Sequence, residues 1–227
     1  MRDHIKDTEY FISFIAEESE RVKSFTEKLE NGQIMVKRVF PVKAKVHDLK
    51  LGILVARYSK GDDLNLLEKE YLELASEWEN VWQPDYYNKN IKMISLGVLF
   101  EAGEEFSNKV KNMLEQSHKS DWLYSYLLDS MDGEKTEKNQ EMLFPDSYSN
   151  LHKTVYEEDK ILFLKKYLTD DWYNEDCGCY EAHKSEYNFY YGYWSFEAGA
   201  IAKILDIDDS TLKDMPYYPY DLVHYKK

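Results

Sequence analysis

Cys177, Cys179 and His183 stand in the spacing C-x-C-x3-H. Thiolate and imidazole are zinc donors, and Glu175, Asp176 or Glu181 offers a fourth. Structural zinc sites more often use C-x2-C pairs, and this chain has no second pair. Reduced loop cysteines explain the residues as well, and a Cys177–Cys179 disulfide would be strained by its short ring. A metal-dependent enzyme centred on Cys177, Cys179, His183 and Glu197 therefore stands as an alternative, while the main reading needs no cofactor. A second pattern, Pro145-Asp146 followed by Glu158-Asp159-Lys160, matches the PD…ExK arrangement in which carboxylates bind magnesium and a lysine stabilises leaving charge. Here the acids open a helix, where the helix dipole gives a simpler reason for them. The six histidines are scattered, and there is no glycine-rich phosphate loop and no G-x-S-x-G. These patterns do not support catalysis.

Acid beside aromatic rings is the remaining constellation. Asp170, Asp171, Glu175, Asp176, Asp206, Asp208, Asp209 and Asp214 cluster around the ends of the last two long helices, interleaved with Trp172, Tyr173, Tyr180, Tyr217 and Tyr218. Rings supply buried area and carboxylates supply steering, which suits an interface with a basic protein. The competing reading is a solvated rim with capping aspartates. The totals agree with either. Net charge is −14, all four arginines lie at or before Arg57, and the 227 residues include twenty Tyr and five Trp. Such a surface repels phosphate backbones, so nucleic acid is not expected as a direct partner. The start, MRDHIKDTEY, has no apolar signal-peptide core, and no apolar run approaches the roughly 20 residues that span a bilayer. We expect a cytoplasmic protein with no membrane partner.

The elements that position these residues read as helices. Stripes at three- and four-residue steps predict helices over about 8–30, 42–60, 64–82, 87–101, 104–117, 121–131, 157–173 and 186–206. Asn31-Gly32 and Gly61 are stops, and Asp62 or Asp63 and Asp121 are caps. Few glycines and prolines and no convincing strand run give an all-α fold. The expected form is a single compact bundle of mostly antiparallel helices with a short extended C-terminal tail, PYYPYDLVHYKK. Polar residues 132–147 divide an N-terminal region, 1–131, from a C-terminal one, 148–227, packed as one unit. In the last long helix Trp194 is expected in the core. Glu197 is its one acid before the exit at Asp206, and it needs a partner or a cleft.

The segment YYGYWSFEAGAIAKILDIDDSTLKDMPYYPYDLVHY resembles the C-terminal domain of the PoNi immunity proteins, which act against PoNe-type DNase toxins. RDHIKDTEYFISFIAEESERVKSFTEKLENGQI and LVARYSKGDDLNLLEKEYLELASEWE are similar to the N-terminal domain of that family. The resemblance implies an all-helical, non-enzymatic protein whose partner is a secreted nuclease toxin. It supplies no list of contact residues. The acidic clusters above, with Tyr217 and Tyr218, are the expected contacts.

Overall fold

The computed structural model describes residues 1–174 and 180–226. Ten α-helices and several single turns account for the described secondary structure, with no strand among the described residues. Four helices begin on an aspartate, as local chemistry favours. Asp7, Asp63, Asp121 and Asp159 each accept from amides of the first turn, opening α1 (Thr8–Glu30), α3 (Leu64–Glu77), α6 (Trp122–Asp132) and α8 (Lys160–Lys166). Each such cap is worth about 1 kcal/mol. Gly61, at φ +101°, ends α2 (Val39–Lys60) as expected. Pro41 lies in the first turn of α2, where a missing amide costs nothing.

The chain forms two compact units, Met1–Gln83 with Glu181–Gly192 and Pro84–Tyr180 with Tyr193–Lys227. Residues 132–147 lie inside the second. In the first unit α1 and α2 form a long hairpin and α3 runs back along α2. Arg2 donates to the carbonyls of Tyr58 and Asp62, tying the start of the chain to the end of α2. His47 lies 3.1 Å from the Leu74 carbonyl. Phe11, Phe14, Leu54, Leu67 and Tyr71 fill the core. Residues 187–192 complete it. Tyr190 is buried, its hydroxyl donates to Asp3, and its carbonyl accepts from Tyr10 Oη at 2.9 Å. Ser59 Oγ donates to the Tyr191 carbonyl at 2.8 Å.

In the second unit α4 (Tyr87–Leu99) packs against α6 and against α9 (Phe196–Ile204), and α5 (Gly103–Gln116) flanks α6. Trp122, Tyr124, Leu127, Leu151, Leu164, Ala198 and Ile201 are buried there. Three expectations change. A helix absent from the sequence reading, α7 (Pro145–Tyr156), opens on Pro145, the residue pre-set for a first turn. The helix expected over 157–173 starts only at Lys160, after the Asp159 cap, and loosens at Tyr167–Asp171 into a π turn closed by the Trp172 amide on the Tyr167 carbonyl. The helix expected over 186–206 is α9 alone. Tyr190, Tyr191, Tyr193 and Trp194 mimic a helical period, but Gly192 sits at φ +116° and Trp194 is only half-buried.

The tail is also not extended. Pro219 leads into a short helix, α10 (Tyr220–Val223), because Leu222 and Val223 gain burial by docking on α9. The contact is close at Gly199: a Cβ there would stand 2.6 Å from Pro219 Cγ. The small residues of the 190–209 stretch thus admit this last helix at Gly199.

Candidate partner-binding surface

The predicted contact residues divide by burial. Asp170, Asp206, Asp208 and Asp214 are exposed. Asp171 is half-buried and accepts from Asn150 Nδ2 at 2.8 Å. Burial, reinforced by neighbouring Asp170, raises its carboxyl above the ordinary range despite that bond. Asp208 accepts from the Ser210 hydroxyl and amide, which hold it below the ordinary range. Asp209 is 2% exposed and Tyr218 is equally buried. Tyr218 Oη donates to Asp209 at 2.6 Å, and His224 Nε2 lies 2.8 Å from the other carboxylate oxygen. The pair is an internal tie between the segment after α9 and the last helix. Adjacent aspartates therefore have opposite fates. Glu175, Asp176, Cys177 and Cys179 lie outside the described residues.

Local backbone chemistry explains the exposed acids. Asp206 stands at φ +48° just past α9. The Ile207 amide bonds to the Ala202 carbonyl and the Asp206 amide to that of Lys203, the two bonds of a Schellman stop. Glycine usually fills this position, so the acid occupies a left-handed conformation at a helix end whose dipole disfavours negative charge. Asp170 is presented by the π turn, a local departure often found at functional sites.

Rings join these segments. Tyr217 stacks on Tyr173 with centroids 5.2 Å apart and planes 13° apart, and Trp172 lies 4.8 Å away. Tyr193 and Tyr180 pack against Tyr173 at 5.1 Å each. Tyr217 itself is at φ +68°, a strained setting for a tyrosine, and its carbonyl accepts the Ser195 amide at 2.8 Å. Trp172, Tyr173 and Tyr217 are each half-buried, with Asp170 and Asp214 close in sequence. The outcome is a cluster of half-buried rings, with Asp170 and Asp214 near them in sequence.

Glu197, open between a paired carboxylate and a site residue, is paired. It is 6% exposed and accepts from Tyr167 Oη at 2.7 Å and Ser195 Oγ at 2.8 Å. Burial raises its carboxyl above the ordinary range, and the two hydroxyls and Lys92 offset part of that. The Tyr167 hydroxyl is driven far up by burial and by the carboxylate beside it. His183 packs its ring 6.3 Å from Tyr190. Among the described residues no group of three or more His, Cys, Asp or Glu is arranged to hold a metal. The PD…EDK residues are taken up by helix ends: Asp146 in the first turn of α7, Asp159 capping α8 and Glu158 exposed between them.

Sequence reading missed the ties around Lys203. Its ammonium donates to the carbonyls of Leu99 at 3.0 Å and Tyr225 at 2.9 Å and pairs with Glu101 at 2.9 Å. Its signal was the one lysine, in the last turn of a helix that is apolar apart from Glu197.

No curated protein matches the chain in sequence. The crystal structure of protein PA2201 from Pseudomonas aeruginosa shares the fold, with a TM-score of 0.64 at 19% identity over 83% of this chain and 75% of that one. The family model described as PoNe immunity protein (PoNi), N-terminal, matches residues 2–112, and that described as PoNe immunity proteins (PoNi), C-terminal, matches residues 119–222. Together the two matches span almost the whole length, and the chain belongs to the family of PoNe immunity proteins, PoNi.

Proposed function

We propose that this protein binds a cognate secreted DNase toxin and neutralises it by forming a stoichiometric complex, without catalysis of its own. Membership of the PoNe immunity family across both of its domains carries the reading. Charge agrees with it. The second unit holds 25 acids against 15 bases, and the first 18 against 14. A domain that grips DNA carries a basic groove, so an acidic face both attracts it and competes for it. The contact surface we assign is the ring platform of Trp172, Tyr173 and Tyr217 with Asp170, Asp206, Asp208 and Asp214. Rings at its centre supply affinity, and the outer acids supply rate and orientation. Glu197, Asp209 and Tyr218 are buried and serve as internal ties rather than contacts. Asp171, half-buried and bonded to Asn150, sits at its margin.

Co-expression tests the reading. Cells making the toxin domain of the neighbouring gene should keep their DNA when this protein is present, and protection should set in more slowly when the platform acids are reversed. Loss of DNA despite abundant soluble protein would refute it.

A further inference from the structure

The first unit carries a surface of opposite character. Residues 31–47 contain no acid and include Lys37, Arg38, Lys43 and Lys45, in a chain whose net charge is −14. Residues 31–38 form the turn of the long hairpin, where α1 ends and a single 3-10 turn, Val36–Arg38, leads into α2, and Lys43 and Lys45 lie in the first turns of α2. Three large apolar side chains project there: Val36 is 91% exposed, Met35 59% and Phe40 48%. All four cations are exposed, and among the described residues none of them has a carboxylate within ion-pair distance. The nearest acids in sequence are Glu30 and Asp48, which flank the turn without entering it. Elsewhere in the same unit cations find partners: Arg57 pairs with Asp62 and Glu70, and Lys50 with Glu77.

We infer that this turn docks on the surface of an anionic phospholipid bilayer. A convex tip with apolar side chains at its apex and cations around them fits the boundary between headgroup and acyl chain. The apolar residues enter the boundary while the lysines and arginine stay at the level of lipid phosphate. No helix among the described residues is long and apolar enough to cross a membrane, so the contact is peripheral. The sequence reading expected no membrane partner because it sought spanning segments, and a docking tip needs none. At physiological salt, acids farther than about 8 Å from the tip are screened from it. A nucleic acid offers phosphate but no apolar layer for Val36 and Met35. A second copy placed symmetrically on the tip sets four cations against four.

Vesicle sedimentation of the full chain tests this independently of any toxin. The protein should pellet with phosphatidylglycerol-rich vesicles at physiological salt and stay in solution with pure phosphatidylcholine. Each cation near such a surface is worth about fivefold in partitioning, so Lys37→Gln with Arg38→Gln should lower it about 25-fold. Val36→Asp should also release the protein, and Lys69→Gln, on exposed α3, should not. Because Val36 is exposed, the variants should keep the parent's thermal transition, which is measured alongside. Three results would overturn the inference: no pelleting of the parent with anionic vesicles, pelleting unchanged in the tip variants, or pelleting without vesicles that light scattering traces to self-association.

Discussion

Replacing Asp206 should make the protein more stable and a worse partner at the same time. Asp206 holds the glycine position of a Schellman stop at φ +48°. A left-handed conformation costs an L-residue about 1–2 kcal/mol, with aspartate at the lower end because its short polar side chain tolerates it. A negative charge at a helix C-terminus costs about 0.3–1 kcal/mol more. Asp206→Asn removes the charge and keeps a residue that visits this conformation readily. Its gain should be the dipole term, about 0.5 kcal/mol, less what the carboxylate's own partner contributes. Asp206→Gly removes both costs but loosens the unfolded chain, which returns about 0.4–1 kcal/mol, and its net gain should be about 1 kcal/mol. Urea unfolding reads these as a rise in midpoint with unchanged slope. In the same samples, association with the toxin measured at low salt should slow for both variants, because a steering carboxylate is gone. A glycine variant less stable than the parent would refute the backbone reasoning. An unchanged association rate would remove Asp206 from the contact surface.

Four further outcomes follow from the geometry. Burial raises the Glu197 carboxyl, so its contribution to stability is present at acid pH and fades as pH climbs through the raised value. Glu197→Gln should therefore gain on the parent between acid and neutral pH, and a stability difference independent of pH would contradict this. Lys203→Met removes the partner of two buried-side carbonyls and should cost about 2–3 kcal/mol in chemical unfolding; a neutral result would show that water replaces the ammonium. Gly199→Ala drives a methyl into Pro219 and Val223 and should cost about 1–3 kcal/mol, unless α10 shifts outward, which loss of protease resistance at the tail would reveal. Reversing Asp170, Asp208 and Asp214 together should slow toxin association strongly at low salt and weakly at high salt; an equal effect at both would indicate a lost contact rather than lost steering.

Much of the first two-thirds of the fold was legible because local and global preferences agree there. Asp7, Asp63 and Asp121 cap where the stripes begin, and Gly61 stops α2 where its stripe ends. The last third was harder. Tyr191 and Trp194 share one apparent stripe, yet Tyr191 belongs to the first unit and Trp194 to the second, so a helical period stood where the chain changes partners. Three helix stops at Glu101, His118 and Asp206 use side chains at positive φ and gave no glycine to read. The prolines of the tail argued for extension, but burial of Leu222 and Val223 overrides them. For the surface, charge and ring content were visible, whereas the inward turn of Asp209 and the outward turn of Asp208 depend on Tyr218 and His224 folding back over them.

Titrating purified protein into its toxin domain while following DNA cleavage tests the central claim most directly. Cleavage should fall in proportion to added protein and vanish at one equivalent, with the end point unmoved and the onset slowed when Asp170, Asp208 and Asp214 are reversed. Full cleavage in the presence of excess folded protein would contradict the claim.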